Sequence, residues 1–386
     1  MERRRGGILA GLAPPLTSYG AELAWVLQRA FGPAAHCATI APNGGQAVEL
    51  AERLGLGARL AARGSGIEQE VGLSHARRLT FQQLQVSATA RELEAAMARV
   101  AEVASERSIP LCWLKFAALR TSGVLIDGAR EARDVDVLVP PSRIRELHTA
   151  LVEAGLPALP GEANHHLPPL RLSTGAIVEL HAWVWGVELT SRADGASYED
   201  LLAADALRAL SANVNVPEPW LLAAHAMVHG LVQHRGTPQD YAPLRALCDV
   251  VDLRVWEMSL ERIHASIRRH VSRGEVEDLA QLARALAAGV EPGRLDARAA
   301  SLLSGLLAAS LDTRYQRALI LEHAVDLLRA GALGGALWRN LTASRPATAA
   351  RHSGYSWARL ARPLERAIEL THAVVAYARL RWWRSR

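Results

Sequence analysis

Along the first hundred residues, apolar side chains return every three or four positions, the period of a helix with one buried face. Residues 18–31 and 45–63 read as helices, with a loop around Gly32-Pro33 and Pro42-Asn43-Gly44-Gly45. A longer stretch, 78–108, places Leu84, Val86, Leu93, Ala96, Met97, Val100 and Val103 at helical spacing. The period then changes. Pro110-Leu111-Cys112-Trp113-Leu114 is a short apolar run that suits a buried strand, and Ala117 to Val124 suits a short helix. Val135, Val137 and Val139 alternate with Asp134, Asp136 and Leu138, a period of two that predicts a strand stopped at Pro140-Pro141-Ser142. Ile144, Leu147, Leu151 and Val152 mark a helix that Gly155 ends. His165 to Leu172 and Ala176 to Ala182, joined by Ser173-Thr174-Gly175, read as a hairpin. After Pro217-Glu218-Pro219 the helical period returns over Trp220 to Gln233, Tyr241 to Leu253, 256–272, 275–289, 296–310, 312–330 and 356–383, with a loop expected over 342–356. The pattern predicts an α+β protein: a helical region over 1–107, a small mixed sheet ordered β-α-β-α-β-β over 108–216, and a helical bundle over 217–386. There is no fixed-period repeat.

Composition narrows the class. Of the 386 residues, half belong to the apolar and aromatic set and 22 % are charged, enough to bury a large core and to exclude wholesale disorder. Cys37, Cys112 and Cys248 lie far apart with no C-x-x-C, which excludes a disulfide scaffold and a cysteine zinc knuckle. The net charge of +5 is uneven: residues 351–386 carry eight Arg and two Glu, so the first 350 residues are close to neutral. A nucleic-acid footprint over the whole surface is therefore not expected. The basic segment Tyr355 to Arg386, with Trp382-Trp383 beside Arg381 and Arg384, either packs on the bundle with a solvated Arg face or meets an acidic partner such as anionic lipid, phosphate or an acidic peptide. The apolar run near the N-terminus is short and interrupted by Pro14-Pro15, and the longest largely apolar run is Ala299 to Leu311, so neither export nor a membrane span is expected and the cytoplasm is the expected location. Of 44 basic side chains, 43 are Arg and one is Lys115.

Candidate chemistry gathers in the central segment. On a strand, positions i and i+2 face the same way, so Asp134 and Asp136 emerge side by side. Adjacent carboxylates repel, and a divalent cation between them relieves this, with all-oxygen donors suiting Mg²⁺. The alternative is a polar face on an exposed edge strand, although Asp is a poor strand residue. Val178-Glu179-Leu180 puts a third carboxylate on another strand, which a small sheet can bring beside the first two. Lys115 follows the strand at 111–114, where a strand-to-helix turn favours phosphate. His225 and His229 share a helix face. They lack a third zinc ligand nearby, and either serve packing or grip a ligand from the helical segment. His165-His166 lies opposite the Glu179 strand, and His181 shares the Glu179 face, where it is expected to hydrogen-bond a metal-bound carboxylate. There is no G-x-G-x-x-G, P-loop or G-x-S-x-G.

Leu114-Lys115-Phe116-Ala117-Ala118-Leu119, Arg130, Asp134-Val135-Asp136-Val137-Leu138-Val139 and Glu179-Leu180-His181 together resemble the uncharacterised nucleotidyltransferase family, a branch of the polymerase-β-like minimal nucleotidyltransferases. That family carries L-K-G, an Arg four residues before D-h-D, and a later h-E-L-H-W; here Trp183 comes two residues after His181. Leu221, His225, His229 and Leu247-Cys248-Asp249 match its helical half. The resemblance implies transfer of an NMP from an NTP, with pyrophosphate leaving, onto a hydroxyl or phosphate of a peptide, protein, RNA or small molecule. It implies that Asp134, Asp136 and Glu179 hold two Mg²⁺ ions, with Lys115, Arg130, Arg133 and His229 near the nucleotide and His166, His181 and His225 behind the metal ligands or toward the acceptor. Phe116 stands where the family has glycine, and a side chain there is expected to crowd the phosphates and restrict φ. Arg133 replaces a common small residue and is expected to pair with a carboxylate or phosphate. The Phe116 departure leaves open a sugar-nucleotide or phosphorylated acceptor, or a binding module that has lost catalysis.

Overall fold

In the computed structural model the described residues are 20–33, 43–64, 66–159, 167–185, 196–233 and 244–312, with Tyr315, Gln316 and Leu319. His165, His166, Tyr241, the helices expected at 312–330 and 356–383 and the whole basic tail lie outside the described residues, apart from Asp312, Tyr315, Gln316 and Leu319.

The N-terminal part is helical, as the periodicity predicts. It comprises α1 (Gly20–Phe31), α2 (Gly44–Arg53), α3 (Gly57–Ala62), α4 (Ile67–Val71) and the 34-residue α5 (Leu73–Glu106). The single helix expected over 45–63 is two, because the chain reverses at Gly55. Gly55 takes φ +70°, Leu56 N–H reaches Ala51 O and Gly55 N–H reaches Glu52 O, the paired bonds of a glycine-terminated helix. On α5, Leu93, Ala96, Met97, Val100 and Val103 are buried as expected, whereas Leu84 is 60 % exposed.

The sheet has six strands in the order β3-β4-β2-β1-β6-β5. They are β1 (Leu111–Trp113), β2 (Asp134–Leu138), β3 (Leu170–Arg171), β4 (Ile177–His181), β5 (Leu207–Ala209) and β6 (Val214–Pro217). The pairs β1/β2, β3/β4 and β5/β6 are antiparallel, while β2/β4 and β1/β6 are parallel. Between the strands lie α6 (Lys115–Thr121), α7 (Ile144–Glu153) and α8 (Tyr198–Ala203). The expected β-α-β-α-β-β order therefore gains one helix and two strands. Asn213-Val214-Asn215-Val216 carries the alternation that betrays β6, but the run is too short and too polar to stand out. Gly155 ends α7 with φ +92°, as its position predicts.

After β6 come α9 (Pro219–Val228), one π turn (His229–Gln233), α10 (Leu244–Asp252), a 3₁₀ turn (Val255–Glu257), α11 (Leu260–Ile267), α12 (Arg273–Ala287) and α13 (Ala297–Leu311). The helix expected over 256–272 is shortened because Ser259 caps α11, accepting from Arg262 N–H. Ser272 and Glu275 close a capping box on α12. α9 packs against α6 and β6 and against α10 and α11, joining the sheet to the helical half. The buried apolar core runs without a break from Leu23 in α1 to Leu307 in α13.

Candidate active site

β2 and β4 run parallel in a register that pairs Asp136 with Glu179, Asp134 with Ile177 and Leu138 with His181. Paired residues share a face, so the two-residue period sends Asp134, Asp136, Glu179 and His181 to one side and Val135, Val137, Val178 and Leu180 to the other. The β-branched positions make these strands and anchor the carboxylates on rigid backbone. Asp136 is 1 % exposed, while the side chain of Glu179 keeps 21 % of its surface open.

Around Asp136 the contacts are close. Oδ1 accepts from Lys115 Nζ at 2.7 Å and from His181 Nε2 at 2.9 Å, and His181 Nε2 lies 3.8 Å from Glu179 Oε2. Oδ2 is buried with no hydrogen-bond partner among the described residues. Ligand atoms of Asp136, Glu179 and His181 all lie within 4.8 Å of one another, a set able to hold a metal ion. Asp134 is outside that set, and His181, a member of it, also bonds Asp136 Oδ1 as expected of a partner to a metal-bound carboxylate. An orphaned carboxylate oxygen beside a second carboxylate is what a hard divalent cation requires, so these residues fit one.

The electrostatics follow from burial and crowding. Burial first, then Asp136 and Asp134, push the Glu179 carboxyl up to about 8, with Lys115 opposing. Asp134 is also raised, by burial and by Asp136. Asp136 goes the other way: burial would raise it, but Lys115 and the hydrogen bond from His181 hold it well below the usual carboxylate range. Burial would lower Lys115, and the surrounding Asp136, Asp134 and Glu179 reverse this, so the ammonium is held charged.

Lys115 opens α6 with φ +45°, a left-handed conformation uncommon for a residue with a side chain. The conformational demand at this turn falls there and not on the next residue. Phe116 is the second residue of α6 with φ outside the left-handed region, and its ring is buried. Phe116 thus keeps to the φ range open to a side chain, as expected of Phe in place of glycine, and Lys115 takes the left-handed conformation.

Arg130 is tied down. Its Nε and Nη2 donate to Asp249 Oδ1 and Oδ2 at 2.7 and 2.9 Å, and both side chains are nearly buried. Its charge still reaches Asp134, whose carboxyl it lowers. Arg133 is exposed and pairs with no carboxylate among the described residues.

From the helical half, α9 brings His225 toward the carboxylates. His225 is buried, with Nδ1 unpartnered among the described residues. Burial first, and then the Lys115 charge, press it down to about 3, so it is a neutral imidazole. Its ring meets Trp185 edge-on at 5.7 Å and the half-buried His229 at 6.1 Å, and Trp185 lies 6.4 Å from His270. Asp249, Trp185 and His270 were not among the expected site residues. Leu247-Cys248-Asp249 stands out as a motif in the sequence, but nothing local names Arg130 as its partner.

A mixed sheet with acidic side chains on two neighbouring strands, flanked by helices, is consistent with the polymerase-β-like nucleotidyltransferase class. The chain belongs to the uncharacterised nucleotidyltransferase family, whose model matches residues 43–290, and it is a transferase of phosphorus-containing groups. No curated protein and no solved structure matches it. No described helix is long and apolar enough to cross a membrane.

Proposed function

We propose that the protein is a Mg²⁺-dependent enzyme of the cytoplasm that moves an NMP from an NTP to a hydroxyl or phosphate on a peptide, protein, RNA or small molecule. The observation that carries this reading is Asp136 in register with Glu179, with one buried oxygen of Asp136 unpartnered. Asp136 and Glu179, with Asp134 beside them, would hold the divalent ion. Such an ion neutralises triphosphate charge and lowers the barrier to in-line displacement.

The chain's own groups do the rest. Lys115 and Arg130 face the phosphates with positive charge, which is worth most in a water-poor site. Arg133, exposed at the mouth of β2, and His229 contact the nucleotide. Glu179 takes the proton of the acceptor oxygen as that oxygen bonds to the α-phosphorus. The bond from the α-phosphorus to the bridging oxygen breaks, and pyrophosphate leaves with that electron pair. His181 orients Asp136, neutral His225 lies toward the acceptor, and His166 has an acceptor role on the strength of the sequence resemblance. The basic segment 355–386 brings an acidic partner to the enzyme.

Incubation with α-³²P-labelled NTPs and Mg²⁺, read by radiolabel and by mass of the modified acceptor, tests this. Label should transfer from wild type and be lost in Asp136→Asn and Asp134→Asn. Equal labelling by the variants overturns the metal assignment. An added hexose mass points to a sugar-nucleotide donor, and Mg²⁺-independent binding without transfer points to a non-catalytic module.

A further inference from the structure

The polymerase-β-like class implies two divalent ions, which carboxylates must bridge about 3.5–4 Å apart. The surroundings of Asp136 do not suit that number. Its Oδ1 already accepts two short bonds, from the Lys115 ammonium at 2.7 Å and from His181 at 2.9 Å. Only Oδ2 is left without a partner. The set of ligand atoms close enough to share an ion comprises Asp136, Glu179 and His181, and leaves out Asp134. Among the described residues one cation place is therefore open here, and a second positive charge is already present.

That charge is held deliberately. Lys115 sits at the first position of α6 in a left-handed conformation that side chains avoid. Its side chain is 17 % exposed against an Asp136 that is 1 % exposed. It is also the only lysine among 44 basic residues. An ammonium is a compact point charge that can sit against one carboxylate oxygen, whereas a guanidinium spreads its charge over a planar fork.

We propose that Lys115 stands in for one of the two ions of the class, so that the site takes up a single exchangeable divalent cation on Asp136 Oδ2 and Glu179. Lys115 then offers the second positive charge to the triphosphate. This rests on the nucleotidyl-transfer reading above.

Mn²⁺ is the probe. The full chain is titrated with Mn²⁺ in the presence of each of the four α,β-methylene nucleoside triphosphates, and the bound ion is counted and its electron paramagnetic resonance spectrum recorded. Wild type should hold one Mn²⁺ per chain with the six-line spectrum of an isolated ion, and Asp136→Asn should bind it at least tenfold more weakly. Lys115→Met should hold two, with the multiline spectrum of an exchange-coupled pair. A coupled pair in wild type overturns the inference and leaves nucleotidyl transfer standing. So does a folded Lys115→Met that still holds one. No Mn²⁺ beyond that taken up by the free nucleotide overturns the transfer reading, and the inference with it. If Lys115→Met does not fold, the wild-type spectrum decides.

Discussion

The two oxygens of Asp136 live in different surroundings, one accepting from Lys115 and His181 and the other buried without a partner. That asymmetry makes single-residue changes informative. Lys115→Arg keeps the charge but must fit a fork into a space shaped for an ammonium. Turnover is expected to fall about a hundredfold, the scale of losing one preorganised charge, while the nucleotide KM changes little. A steady-state assay with the labelled NTP checks this, and unchanged turnover would show that the single lysine has no special role. His225 governs a different property. Its folded pKa of about 3 lies below its ordinary value, so it stabilises the fold above pH 6.5, and that contribution is lost as pH falls from 6.5 toward 3. At pH 5 the loss is about 2 kcal/mol. Denaturant midpoints at pH 7.5 and pH 5 should therefore differ less for His225→Phe than for wild type, and an equal difference would refute the assignment. Much of this site was legible in the chain. The two-residue period put Asp134 and Asp136 on one face, and Glu179 does lie on the neighbouring strand. His181 was legible as the partner of a carboxylate, but that the carboxylate is Asp136, and that Lys115 shares it, was not, because both depend on the register between strands, which no local spacing states.

At the scale of elements, α10 acts as the clamp between the three parts of the chain. Asp249 pairs with Arg130 ahead of β2. One turn later Asp252 pairs with Arg59 of α3 at 2.6 Å, and Arg59 also donates to Ala30 O at the end of α1. Both pairs are largely buried. Removing one partner leaves a charge stranded in a low dielectric, which costs about 3–5 kcal/mol. Asp249→Asn should lose roughly that much in chemical denaturation and should also slow transfer, because Arg130 is freed to turn toward Asp134. Exchanging the pair, Arg130→Asp with Asp249→Arg, should recover part of the stability but little of the activity, since the positive charge then sits on the wrong element. Recovery of both would reduce the pair to a strut. A link across 119 residues has no signature in periodicity, and sequence motifs can flag Asp249 without naming what it holds. Shorter elements failed for a related reason. β5 and β6 have three and four residues and are strands only because β1 offers an edge, whereas α5 and α12 were legible because many turns repeat one apolar face.

Across the whole molecule, the boundaries proposed at 107 and 216 separate kinds of element, while the apolar core crosses both. The second boundary falls inside β6, which pairs in parallel with β1 and leads through Pro219 straight into α9. A helix with α9's composition is apolar nearly all round, and Leu221, Leu222, Ala223, Ala224, Met227 and Val228 are all buried. Helices that are hydrophobic on every side are stable only inside a larger body. Cutting at 216 therefore exposes the surfaces of α6 and β6 that α9 covers and removes Asp249 from Arg130. The segment 108–216 made alone should not fold, giving narrow amide dispersion in its NMR spectrum. The full chain should unfold in one transition over the described body, with calorimetric and van't Hoff enthalpies in agreement. Two resolved transitions, or a well-dispersed spectrum from 108–216, would show instead that the sheet is an independent unit and that α10 is a docked partner, in which case the carboxylate site would keep its metal affinity when the helical half is removed.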